Sequence, residues 1–487
     1  MKVNVIKERL SNSIQAKELI NGSFWSVVGS MTSRGLIFVA WILVGNLLGS
    51  DDFGAFGLIR DTILMFTVFA GLGLGITASK FVSEFIGKDV GKAARIMGLT
   101  MLFGIMAGLL LGIIVYIYSP YIAGTVIDRP EYTLEFRIAS VILFFCSLNG
   151  AQIGILQGLQ RFKDIATVNF WQSVISFPLF YIGARFAGVR GAVMAFAFYN
   201  IIVCVLSHIK LKKAIKSMAL ELDFKDAFKE KRIIFTYSFP AFLSGLLVTP
   251  VKWVTDVMLF NSENGAHEMG LFTAVYTFNL IFITVASMID APFLVVLSKN
   301  RDESINSNLN RVNVILPWCI GGLIIMPFML FPEIIMAFFD SSFHGESFRV
   351  NMILVLLFTL IIMYKQGLAR ILAVNNLQWY GVISNLVWGI SLICFFYFAR
   401  SHGAVGLCLG YIVAYVMSTV FLLPIYKSKG LIPENTVFSW YALIIWLLVI
   451  LVVFIGLFEH RVTYRNVAIV LTYPLMVYLY YKYLFKK

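Results

Sequence analysis

Charge is scarce in this sequence. Asp, Glu, Lys and Arg make up 13% of its 487 residues, where a soluble domain carries about 25%, and a water-facing surface cannot be assembled from so few. Long polar loops are missing as well. The longest is the basic connector Lys210–Arg232, and segments such as Asn261–Gly270 and Asp340–Arg349 hold ten residues each. A membrane glycosyltransferase or polymerase needs a loop or domain to hold its acids and acceptor, so an enzyme is not expected. No Gly-Lys-Ser/Thr phosphate-binding loop occurs, which argues against an ATP-driven pump on this chain. The five cysteines (Cys146, Cys204, Cys319, Cys394, Cys408) lie inside apolar runs. None has metal-ligand spacing, so they read as small buried apolar residues. The five histidines are scattered over loops and span ends. Neither a cofactor nor a metal is expected, and no catalytic constellation stands out.

What the chain has is apolar length: 59% of its residues are hydrophobic. Stretches of about 20 apolar residues recur throughout, each able to cross a hydrocarbon core of about 30 Å as a helix. Lipid forces the backbone to satisfy its own hydrogen bonds, so the spans should be helical. Runs such as Met101–Tyr118 and Trp440–Leu457 lack the alternation of a barrel strand. The expected spans are 23–48, 55–77, 94–118, 137–159, 165–186, 190–209, 235–260, 271–297, 313–338, 349–372, 378–399, 404–426, 438–458 and 466–484. The fold class is therefore all-α, a polytopic membrane protein of about fourteen helices.

The net charge of +13 belongs to loops rather than to a nucleic-acid surface. One set of loops, with both termini, holds 27 Lys or Arg and the opposite set 8, leaving Arg34, Arg60, Lys252 and Lys365 within spans. That excess predicts that the basic set and both termini are cytoplasmic. Residues 1–20 lack the apolar core of a cleavable signal peptide and are expected to form a cytoplasmic segment.

An internal repeat divides the remainder. Gln157-Gly158-Leu159-Gln160-Arg161 recurs as Gln366-Gly367-Leu368-Ala369-Arg370, and Val174-Ile175-Ser176 as Val382-Ile383-Ser384. Ala184-Arg185 recurs as Ala399-Arg400, and Gly191-Ala192-Val193 as Gly403-Ala404-Val405. The separations are 209, 208, 215 and 212 residues. Two parallel six-helix lobes follow, 21–232 and 233–428, with a terminal helix pair in 429–487. Parallel repeats of this kind suit a transporter that rocks one lobe against the other around a central substrate site.

An ionised side chain at the bilayer centre costs at least about 2.5–3.5 kcal/mol, so the intramembrane charges are the candidate site. Arg34 sits mid-span among Gly29, Ser30, Thr32, Ser33 and Gly35, facing either a polar cavity or a carboxylate such as Asp61. Arg60 and Asp61 lie near the outer end of the second span. Lys252 and Asp256 are four residues apart, on one helical face, able to neutralise each other. Lys365 is placed near an inner end, within snorkelling reach. Asp61, Asp256 and Asp290 are candidates for ion or proton coupling. Four cations against three acids favour an anionic cargo.

These features together resemble a known group. The 6 + 6 + 2 helices, Ser33-Arg34 in the first, Leu48-Gly49-Ser50-Asp51-Asp52-Phe53-Gly54 after it and Gly158-Leu159-Gln160-Arg161-Phe162 after the fourth resemble the polysaccharide transporters. Those are the O-antigen-type flippases of the multidrug/oligosaccharidyl-lipid/polysaccharide exporter (MOP) superfamily. The resemblance implies transfer of undecaprenyl-pyrophosphate-linked oligosaccharides from the cytoplasmic to the periplasmic leaflet of a bacterial inner membrane. It implies that Arg34 meets the pyrophosphate, that the terminal pair forms a groove for the lipid tail, and that polymerase or assembly proteins are partners. A multidrug or cation antiporter of the same superfamily, a lipid II flippase, and a membrane partner or enzyme of glycan assembly are the rival readings.

Overall fold

A computed structural model describes residues 14–234, 238, 242, 246–287, 293, 297, 304–375 and 377–485, with side chains from residue 33 onward apart from 378 and 485. Helix dominates, and no strand occurs among the described residues. The elements are α1 (Ile14–Gly71), α2 (Leu74–Phe85), α3 (Val90–Tyr121), α4 (Thr133–Gly158), α5 (Phe162–Ser217), α6 (Val248–Phe260) and α7 (Gly265–Ser287). They continue with α8 (Asn308–Leu330), α9 (Glu346–Val374), α10 (Gln378–Ala399), α11 (Gly403–Ser428), α12 (Trp440–Phe458) and α13 (Val462–Phe485). Ten helical runs among the described residues are long and apolar enough to cross a membrane. The protein is a multi-pass membrane protein.

Several runs exceed one bilayer crossing, and glycine breaks them. α1 is interrupted at Gly49, whose φ of 74° and ψ of 173° belong to a region open essentially to glycine alone. α5 breaks at Ala187–Gly188, where Gly188 has φ 55° and ψ −138°. Between α10 and α11 a 3₁₀ turn, Arg400–His402, ends at Gly403 with φ 56° and ψ −136°. Gly188 and Gly403 thus share one backbone conformation 215 residues apart, the separation of Ala184-Arg185 from Ala399-Arg400. Backbone geometry therefore pairs Gly188 with Gly403. The tripeptide match of Gly191 with Gly403 is three residues out of that register.

The chain divides into two compact units, Met1–Leu47 with Ile59–Thr249, and Leu48–Leu58 with Pro250–Lys487. The division falls at Thr249–Pro250, and the terminal helix pair is part of the second unit. In the first unit small residues allow close helix contact. A Cβ on Gly154 would collide with the backbone of Gly75, and Ser147 Oγ donates to the carbonyl of Ala70 at 2.9 Å. Glu135, buried on α4, accepts from Arg190 at 2.8 Å.

In the second unit α9 is buried on nearly every face along its length. The segment Leu48–Leu58 joins this unit by backbone contact: the Ser50 carbonyl lies where a Cβ of Gly270 would stand, and the Ala266 carbonyl where one of Gly54 would. Ser50 adds a hydrogen bond to His267 at 2.8 Å, and its amide donates to Ser342 Oγ at 3.1 Å. The terminal pair is held at two levels. Trp318 of α8 packs against Tyr364, Trp446, Tyr480 and Tyr483. Arg465 of α13, itself buried, donates to the Leu330 carbonyl at 2.9 Å and to Glu333 at 2.8 Å.

Candidate functional site

Among the described residues, the intramembrane charges expected from the sequence lie in both units. In the first unit Arg60 and Asp61 form an ion pair at 2.7 Å, both side chains nearly buried. The Arg60 guanidinium also lies 4.8 Å from the Trp41 ring centre, a cation–π contact. Trp41 in turn packs on Phe180 and Phe196. Arg60 therefore brings little net charge to its surroundings. Arg34 is exposed on α1, next to buried Ser33.

The second unit carries the denser constellation. Lys252 Nζ reaches Asp256 Oδ2 at 2.6 Å, with side chains 17% and 0% exposed. One helical turn on α6 brings the two together, as their spacing requires. The same ammonium stands 4.9 Å from the ring centre of Tyr276 on α7. Tyr276 opens a continuous aromatic cluster: Tyr411 is 6.2 Å away, Tyr415 lies 6.3 Å beyond it, and Trp388 of α10 sits 5.7 Å from Tyr415. At the far side of that cluster is Lys365 of α9, its amine 5.9 Å from the Tyr415 ring centre. The sequence-predicted cations Lys252 and Lys365 are thus brought to two ends of one aromatic cluster.

Lys365 differs from Arg60 and Lys252. Its amine donates to Ser418 Oγ at 2.7 Å and lies 3.5 Å from Ser384 Oγ. Among the described residues it meets hydroxyls rather than a carboxylate. An ammonium held this way is positioned but not neutralised, which leaves it available to an anion. The snorkelling expected from its place in the sequence is replaced by hydrogen bonds to α10 and α11. Asp290 lies outside the described residues.

Ser384, Ser418, Tyr276, Tyr411, Tyr415 and Trp388 were missed in the sequence because each is unremarkable alone. A signal did exist. Tyr411, Tyr415 and Ser418 are spaced i, i+4 and i+7, one face of a helix, and Phe272 and Tyr276 repeat the spacing on α7.

A sequence profile for "polysaccharide biosynthesis protein" matches residues 19–295, more than half of the chain. The chain belongs to the polysaccharide biosynthesis protein family. Among relatives, it is 22% identical over 437 residues to an uncharacterized membrane protein of Methanocaldococcus jannaschii, covering 84% of this chain and 97% of that one. It is 20% identical over 257 residues to the EPS I polysaccharide export inner membrane protein EpsE of Ralstonia solanacearum, covering 53% and 58% respectively. Of solved structures, the lipid II flippase MurJ in an inward closed conformation matches with a TM-score of 0.69 at 16% identity, over 94% of this chain and 98% of that chain. An inward-facing MATE multidrug transporter of the MOP superfamily matches with a TM-score of 0.67 at 15% identity, over 82% and 94%. This family member therefore has the fold of the MOP-superfamily transporters. The solved structures that share its fold are transporters and a flippase.

Proposed function

We propose that this protein flips undecaprenyl-pyrophosphate-linked oligosaccharide units from the cytoplasmic to the periplasmic leaflet of a bacterial inner membrane, by alternating access, for surface polysaccharide assembly. The observation that carries the anionic cargo is Lys365, a half-buried ammonium held by two serine hydroxyls. Arg34, exposed on α1, is the second binding cation, since a guanidinium suits a pyrophosphate. A sugar head cannot pass through hydrocarbon unless polar groups replace its water. Arg60 and Lys252 act as cations only when their acids let go, so Asp61 and Asp256 are the groups through which ion or proton coupling would act, with Asp290 a third. Both termini are assigned to the cytoplasm, and polymerase or assembly proteins are the natural partners.

Membership of a polysaccharide biosynthesis family and the similarity to a Ralstonia polysaccharide export protein support this reading. A cation exporter is less well supported, because Asp61 and Asp256 are each engaged by a cation of their own helix.

The test is complementation of cells lacking the native gene. Lys365→Met should lower surface glycan about tenfold or more, since one hydrogen bond to a charged group is worth about 1.5–3 kcal/mol. Lys365→Arg should retain part of it. Normal glycan with Lys365→Met, at equal protein abundance, would sink the proposal.

A further inference from the structure

The connector after α5 is an ordered element with a surface of its own. α5 continues as helix to Ser217, carrying exposed Lys212, Lys213 and Lys216 beyond the last expected membrane residue. The chain then returns to the start of α3. The Asp223 amide donates to the Ala94 carbonyl at 3.3 Å, and a Cβ on Gly98 would strike the Asp223 carbonyl. Glu230 accepts from Arg95 at 2.9 Å, Ala227 is fully buried, and the Phe228 ring meets Phe103 at 6.1 Å. The 3₁₀ turn Ala227–Glu230 therefore lies along the stretch from Ala94 to Phe103, about 13 Å of helix at 1.5 Å per residue. That is the depth of headgroups and upper acyl chains at the start of a membrane-spanning helix.

At this depth the element turns two aromatic rings outward, Phe224 at 44% and Phe228 at 49% exposure. Phenylalanine is among the apolar residues that interfacial segments bury at the boundary between headgroups and acyl chains. Basic groups surround them. Residues 210–232 hold eight Lys or Arg and four acids. Of those acids Asp226 is engaged by Lys229 and Glu230 by Arg95, while Lys213, Lys216, Lys225 and Lys231 remain exposed. The backbone of the turn satisfies itself, with Lys229 N donating to Asp226 O at 3.0 Å and Lys231 N to Phe228 O at 3.1 Å.

We propose that residues 212–232 form an interfacial clasp that binds acidic phospholipid headgroups of the leaflet facing the basic loops, with Phe224 and Phe228 seated among the upper acyl chains. Charge complementarity chooses the occupant: exposed lysines beside inserted aromatics match a negatively charged lipid surface. This surface is independent of what the protein carries.

The experiment is amide hydrogen exchange of the 218–232 stretch, using the full chain in nanodiscs of phosphatidylcholine alone or with phosphatidylglycerol. Exchange should be about fivefold slower with phosphatidylglycerol, the worth of one lysine at an anionic surface. The quadruple change Lys213→Gln, Lys216→Gln, Lys225→Gln and Lys231→Gln should remove most of the difference, and high salt should erase it. All four side chains are exposed, so the variant should fold, checked by an unchanged thermal midpoint in phosphatidylcholine. Equal exchange of the native chain in the two lipids would overturn the proposal, leaving the surface to a protein partner. So would a phosphatidylglycerol effect that survives the four changes undiminished.

Discussion

The half-buried cations Arg60, Lys252 and Lys365 are managed in two ways, and the difference sets what each substitution should do. Arg60 and Lys252 are paired with carboxylates one and four residues away. Lys365 is held by hydroxyls. Removing one partner of a buried pair leaves the other charge uncompensated, which costs about 3–5 kcal/mol, whereas replacing both with apolar residues is often neutral. Lys252→Met should therefore lower the thermal midpoint sharply, and Lys252→Met with Asp256→Leu should restore it. Midpoints of the single and double variants in detergent check this. If the double variant is stable yet exports no glycan, the pair has a role in transport beyond holding the fold. A double variant no more stable than the single one would show that the pair is not the unit of stability.

Elements here are joined by two devices that membrane proteins favour, backbone approach through glycine and charge on carbonyls. Leu48–Leu58 docks on α7 where Gly54 and Gly270 let carbonyls come close. Gly270→Leu should push the segment away at a cost of about 1–3 kcal/mol, measurable as a lower thermal midpoint, and a neutral result would contradict the packing. The terminal pair depends on arginine. Arg349 of α9 donates to the Gly456 carbonyl and to Glu346, and Arg465 donates to the Leu330 carbonyl and Glu333. Either Arg→Ala leaves buried carbonyls without their donor, worth about 1–3 kcal/mol. Arg465→Ala should accelerate proteolysis of α13 with little change in the first unit. Uniform protection along the chain would contradict that assignment.

For the molecule as a whole, the charge balance separates the cargo classes. An anionic lipid-linked sugar and a cationic drug ask for opposite fields. Vesicles containing the purified protein should transfer a pyrophosphate-linked sugar lipid between leaflets, and a soluble pyrophosphate should slow that transfer. Cells producing the protein should gain no resistance to cationic drugs. Resistance without sugar-lipid transfer would favour the antiporter reading.

Much of this architecture was legible in the sequence because its causes are local. Hydropathy requires helices in lipid, so the apolar runs alone gave the all-α membrane class. The breaks at Gly49 and Gly188 fall on glycine because few other residues adopt those angles. The i, i+4 spacing of Lys252 and Asp256 was enough to pair them, since one helical turn separates them. Tertiary structure decided the rest. Ser384 and Ser418 lie 19 and 53 residues from Lys365, and nothing local in the sequence tells a half-buried lysine which hydroxyls will meet it. The same holds for Leu48–Leu58, which is continuous in sequence with the first unit but packs within the second. Helix formation depends on neighbours within a turn or two. The environment of a buried charge depends on which distant helices pack against it.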